Sequence, residues 1–252
     1  MPKKDIFLKI VLLFLILHIF SSCTFYENVT GYFNTYYNAK KNFDDAIAEI
    51  EKNPQKARDT NYFAVYTIPK GASDKLDKVI EKCSKLIQLY PQCSWIDDAI
   101  MMIGKSYVYK GESESAIRKF KELLDNFPES GLRGEAKMLL AISEYQSKRD
   151  DESLRLANEV ISESENEGEN NRLLQASMLE GQIYFEREDY NSAVEILDKA
   201  ASLSGDNALL AEIEFQRGVS YERLGNQSKS AEAYGGVASH GSTFSKEFQA
   251  RL

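Results

Sequence analysis

The chain repeats itself. Cys83, Phe120, Ala157, Leu197 and Tyr234 stand 37, 37, 40 and 37 residues apart, and Tyr90-Pro91 returns as Phe127-Pro128 at the same spacing of 37. A unit this short holds about two helices and cannot cover its own apolar faces. Those faces are covered only when neighbouring units stack, so the period restricts the fold to an array. Around each position the same residue types come back. Ile103-Gly104, Tyr107, Ala116, Phe120 and Pro128 form one copy; Gly181, Tyr184, Ala193, Leu197 and Ala200 form another; Gly218, Tyr221, Ser230 and Tyr234 a third. Ala141, Ser153, Ala157 and Val160 make a degenerate copy in the same frame. Each type has a packing reason. A glycine on the first helix lets its partner approach with no Cβ between them, alanine does the same from the second helix, and a tyrosine three residues after the glycine shares its face. Proline lacks the N–H that a helix interior needs, so Pro91 and Pro128 end helices. The pattern predicts an all-α array of antiparallel hairpins over residues 74–243, with Gly111 and Gly225 in the turns that join the arms.

Small residue, tyrosine, alanine, large apolar residue and closing proline at these spacings resemble the tetratricopeptide repeat. The resemblance implies a right-handed superhelical solenoid of helical hairpins whose first helices line a concave groove. The family's groove positions fall here on Met101, Met138, Tyr145, Met178, Phe185 and Phe215. Adaptable methionines and aromatics suit capture of a peptide or a partner helix. The other reading of the same six is helix packing, because methionine and aromatic stripes commonly belong to cores. Burial separates the two.

Both ends depart from the period. Gly31 to Lys52 reads as one helix with Phe33, Tyr36, Tyr37, Phe43, Ala46 and Ile47 at its apolar positions. Residues 53–73 read as an insertion containing Pro54, Pro69 and Gly71, with Tyr62 to Ile68 as a short extended piece, before a second helix from Leu76 to Tyr90. The acidic, polar stretch Ser162–Asn171 is expected to lengthen one loop and so produce the single 40-residue step. Phe244, Phe248 and Leu252 form an i, i+4, i+8 stripe over 244–252, read as the start of a further repeat.

Residues 1–22 read as a targeting segment. Lys3, Lys4 and Lys9 precede an apolar run from Ile10 to Phe20, broken only by His18, and Ser21-Ser22-Cys23 follows. The run is short for a membrane span, which needs roughly 20 apolar residues, and its layout is that of a secretory signal. Cys23 after two small residues resembles a lipobox, although Phe20 stands where an aliphatic residue is usual. The resemblance implies that Cys23 is the lipid-attachment site. Thr24 follows it, which is compatible with sorting to the outer membrane. An uncleaved anchor with an ordinary cysteine is the alternative. The following residues 25–38 are rich in aromatics. They resemble the opening of tetratricopeptide lipoproteins of gliding motility and type IX secretion in Bacteroidetes. Leu76–Ser130 is similar to the tetratricopeptide lipoprotein of outer-membrane β-barrel assembly. An exported chain permits a disulfide between Cys83 and Cys93, but Cys83 falls on an apolar helix stripe, where a buried free thiol is expected.

The remaining composition narrows function. A net charge of −8 and no dense Lys/Arg block argue against nucleic acid as partner. Of two histidines, His18 lies in the targeting segment and His240 is read as a loop residue. No nucleophile motif, phosphate-binding glycine loop or metal-ligand spacing is present. The chain is therefore expected to be no enzyme, to take no cofactor or metal and to have no small-molecule substrate. The partners expected are other envelope proteins and, through the lipid, a membrane; the location expected is the periplasmic side of the outer membrane. A regulator of a cell-wall enzyme and a solute-capturing lipoprotein are the competing readings.

Overall fold

The computed structural model describes residues 28–31, 35–52 and 61–240. The targeting segment, Cys23 and the stripe at 244–252 lie outside the described residues. Those residues form ten helices and a helical turn at 28–31, with no strand among them. The helices are α1 Tyr37–Glu51, α2 Lys70–Leu89, α3 Ile96–Lys110, α4 Ser113–Asn126, α5 Arg133–Gln146, α6 Asp150–Glu167, α7 Asn170–Glu186, α8 Tyr190–Leu203, α9 Asn207–Arg223 and α10 Gln227–Ser239. The chain divides into two compact units. One comprises Met1–Asn53 with Ile68–Ser106, the other Pro54–Thr67 with Tyr107–Leu252.

In the first unit α1 packs on α2. The Glu49 carboxylate links the two helices: it lies over Gly71, where a Cβ would stand 2.5 Å from Oε1, and its Oε2 pairs with Lys75 Nζ at 2.7 Å. Asn28 Oδ1 accepts from the Ser94 N–H at 2.7 Å, and Tyr36 stacks on Trp95 with ring centroids 5.1 Å apart. The sequence pattern puts the start of α2 at Leu76; the helix begins six residues earlier, directly after Pro69, whose fixed φ suits a helix entry. Ala72, Leu76, Val79, Cys83 and Leu86 then form one buried stripe. Cys83 and Cys93 are both buried and are not bonded to each other. Burial pushes the Cys83 thiol up to about 12, so it stays protonated, and it lies 3.9 Å from Met102 Sδ.

In the second unit each helix from α4 to α10 packs on the next. The first helices of successive hairpins also touch, α5 on α7 and α7 on α9. The glycine-and-knob register is visible directly. A Cβ on Gly181 would lie 2.6 Å from Leu197 Cδ2, and one on Gly218 would lie 2.6 Å from Tyr234 Cδ1. Both pairs are sixteen residues apart, as are Ala141 and Ala157 in the degenerate copy. Ser153 and Ser230 stand where the family alanine does, and each donates its hydroxyl to the carbonyl of the small residue twelve positions before, Ala141 at 2.8 Å and Gly218 at 3.0 Å.

The turns of α3–α4, α5–α6, α7–α8 and α9–α10 are built alike. Gly111, Lys148, Glu188 and Gly225 are left-handed, with φ of 71°, 61°, 59° and 74°. The next residue in each case closes a six-residue ring by donating its N–H to the carbonyl of Tyr107, Glu144, Tyr184 or Tyr221. Tyr90 and Phe127, each held off helical geometry by the proline that follows, end α2 and α4 as expected. The acidic stretch behaves differently from the expectation. Ser162 to Glu167 continues α6 as helix, and the loop shrinks to Gly168 and Glu169. Ser164 is buried in that extension, and Gly168 ends it at φ 74°. Three extra residues nearly make one helical turn of 3.6, so the insertion lengthens the helix and preserves its face.

Candidate protein-interaction face

The first helices α5, α7 and α9 present the face on which the groove residues were expected. Met138 is 1% exposed, Tyr145 2% and Met178 4%; Met101, in the first unit, is 3%. None of these four offers an open surface in this structure, and Met101, Met138 and Met178 are packing residues. The reason is visible for Met138 and Met178, which occupy one repeat position on helices that abut the next first helix. Phe215, at the same position on α9, is half-buried; among the described residues no further first helix follows it. It meets Tyr234 at 6.3 Å between centroids. Phe185 is half-buried too and lies edge-on to Tyr190.

Tyr145 owes its cover to a segment that the sequence pattern does not connect with it. Residues 61–67, from the stretch between α1 and α2, lie on the C-terminal ends of α5 and α7. Asn61 Nδ2 donates to Tyr145 Oη at 2.5 Å and to Glu186 Oε1 at 3.0 Å. Phe63 is 4% exposed, with its ring edge-on to Tyr145 at 6.4 Å. Gln146 Nε2 donates to the Phe63 carbonyl at 3.1 Å. Ser113 holds the other end of that amide, donating to Gln146 Oε1 at 3.2 Å. Val65 reaches Gly111, where a Cβ would stand 2.5 Å from Val65 Cγ1. The expected extended piece at 62–68 is irregular chain with a turn at Tyr62-Phe63, closed by the Phe63 N–H on Asn61 Oδ1 at 2.8 Å.

Glu186 is the hub of this face. Its Oε1 accepts from Tyr145 Oη at 2.5 Å and Gln182 Nε2 at 2.8 Å as well as from Asn61. A carboxylate only accepts, so Gln182 must present its NH2 and turn its oxygen away. That oxygen takes the Gln216 Nε2 donor at 2.6 Å. A line of polar contacts thus runs from α9 through α7 to α5, with Gln182 and Gln216 both buried. Burial, then the bond to Glu186, holds the Tyr145 hydroxyl well above its ordinary pKa, so it remains a donor.

Asn61, Phe63, Gln146, Glu186, Gln182 and Gln216 are not among the residues that the sequence singles out. One signal for them exists: Gln146 and Glu186 are 40 residues apart, the local repeat step, and so occupy one position at the end of successive first helices. Among the described residues no group of three His, Cys, Asp or Glu is placed to hold a metal ion, and no helix is long and apolar enough to cross a membrane.

With this geometry in view, the comparisons with known proteins are specific about the repeat. Residues 101–167 match one tetratricopeptide-repeat model and residues 174–207 a second. No curated protein matches the chain. Among solved structures, MamA is similar at 16% identity with a TM-score of 0.55, over 74% of this chain and all of that one. YrrB, described as a TPR protein with an unusual peptide-binding site, is similar at 15% identity and 0.54, over 82% of this chain and 97% of that one. A Rap protein complexed with competence and sporulation factor is similar at 13% and 0.60, over 81% of this chain and 54% of that one. Likeness at such identities is likeness of fold. The chain carries tetratricopeptide repeats in an all-α tandem array, as the period predicted.

Proposed function

We propose that the chain is a lipid-anchored scaffold of the cell envelope, facing the periplasm from the outer membrane, which holds other envelope proteins during assembly or secretion. The observation that carries the protein-binding part is the first-helix face, which already holds an irregular segment of the chain through side-chain donors, acceptors and one aromatic anchor. Repeats of this family form interaction scaffolds, and YrrB, described with a peptide-binding site, and the Rap protein, described in complex with competence and sporulation factor, support the same use here. The lipobox-like Ser21-Ser22-Cys23 supports the anchor. Capture of a glycan through Trp95 has little in its favour, because that ring is half-buried and stacked on Tyr36.

Two measurements test the proposal. Cells fed a clickable fatty acid should label the wild-type chain and leave Cys23→Ala unlabelled and released from the membrane fraction; equal labelling of both rules out the anchor. Crosslinking in intact cells followed by detergent solubilisation should recover the chain with envelope proteins. Recovery only as a lone chain rules out the scaffold.

A further inference from the structure

We infer that the ends of α5 and α7 form a binding site for a peptide that turns from a side-chain carboxamide to an aromatic ring two residues later, and that Asn61–Phe63 is the chain's own occupant of that site. The inference deepens the scaffold reading and rests on it for the protein class of the ligand.

The chemistry of the occupant is written in its contacts. The Asn61 carboxamide is used at both ends: its NH2 serves Tyr145 and Glu186, and its oxygen accepts the Phe63 N–H. That inner bond sets the turn that drops the Phe63 ring onto Tyr145. Gln146 reads the Phe63 backbone carbonyl and would do so for any side chain. Selectivity therefore lies in the carboxamide and the ring. A carboxylate in place of the carboxamide would face Glu186 and lose both donors.

The occupant is attached as a ligand is attached. Residues 61–67 add no strand or helix to the array. Phe63 is the one fully covered side chain in the segment, and Val65 and Thr67 are exposed. The groups that hold the segment come from two successive repeats at one equivalent position, Gln146 and Glu186, with Gln182 and Gln216 buttressing Glu186 from behind. A site made by the repeat is filled by a segment that lies outside the repeat. A partner with the same carboxamide-and-aromatic pattern competes for it, so the segment tunes access to the face.

The test uses the full-length chain in detergent and a fluorescent peptide with the sequence of residues 58–69, read by anisotropy. Asn61→Asp in the chain should release the segment, seen as faster chymotryptic cleavage at Tyr62 or Phe63. The same variant should bind the peptide at least tenfold more tightly than wild type does. A peptide bearing Asp in place of its Asn should not bind, and adding Tyr145→Ala to Asn61→Asp should abolish binding of the Asn peptide. Phe63→Ala in the chain gives a second release variant, and circular dichroism melts confirm that both fold. Faster cleavage without tighter peptide binding overturns the inference and makes the segment a structural strap; unchanged cleavage in both variants overturns it as well. Envelope partners that crosslink equally to wild type and Asn61→Asp would leave the scaffold standing and sink this inference. Peptide binding without any envelope partner would do the reverse.

Discussion

The hairpins α5–α6 and α7–α8 solve one packing problem with opposite choices. In α7–α8 the first helix carries Gly181 and the second fills the space with Leu197. In α5–α6 the same two positions are Ala141 and Ala157, both fully buried. The contact is divided evenly between two small side chains instead of being given wholly to one large one. The next shared position differs in kind. Tyr184 has its counterpart in Glu144, which is fully buried and paired with Arg149 at 2.9 Å and Lys121 at 2.9 Å. Arg149 in turn occupies the position of Asp189, which caps α8 by accepting from the Ser192 N–H at 3.2 Å. The two hairpins close one contact with different volumes, two methyl groups in one and a single isobutyl group in the other, and the buried Glu144 carboxylate brings its own cations with it.

The comparison is broken most strongly at the large knob. Leu197→Ala should cost about 2–5 kcal/mol of unfolding free energy in urea titration, because a cavity opens beside Gly181. Gly181→Ala alone should cost about 1–3 kcal/mol, since its Cβ runs into Leu197. The double variant recreates the Ala–Ala arrangement of the neighbouring hairpin, so its cost should fall below the sum of the singles by about 1 kcal/mol or more. Strict additivity would show that the two positions do not share one volume.

Arg149→Ala comes next. It strips one partner from buried Glu144, but Lys121 remains and Arg149 is itself 43% exposed. The expected loss is about 1–3 kcal/mol. The swap Glu144→Tyr with Arg149→Asp, which copies α7–α8, should recover most of it. Asp189→Ala removes a side-chain cap and should cost about 0.5–2 kcal/mol by thermal denaturation, more than the same change at Glu112, where no side-chain cap is made. The smallest effect has the opposite sign. Glu188→Gly relieves a left-handed residue at φ 59° and should stabilise by about 0.4–1 kcal/mol; Lys148→Gly should gain less, because Lys148 Nζ also sits 5.6 Å from the Tyr145 ring centroid.

Much of the hairpin is legible in the order of residues alone. Helix ends at Tyr90 and Phe127, the turn glycines, and the Gly181–Leu197 and Gly218–Tyr234 pairs all follow from residues a fixed distance apart within one repeat. The fate of Ser162–Glu167 is not legible there, because acidic composition says loop while Ser164 and the helical register say helix, and packing decides between them. The groove residues escape a reading from sequence for a related reason. A methionine at a recurring position is the same letter whether the next helix covers it or leaves it open, and only the touching of α5 with α7 and of α7 with α9 settles the matter for Met138 and Met178.

What the sequence determined by itself was the hairpin and its repetition, because these rest on contacts between near neighbours that recur and so leave a period to be read. What only the tertiary structure decided was the tenancy of the first-helix face. Asn61 meets Tyr145 across 84 residues and Glu186 across 125. Contacts that distant occur once, carry no period, and depend on where a stacked array happens to bring its helix ends together.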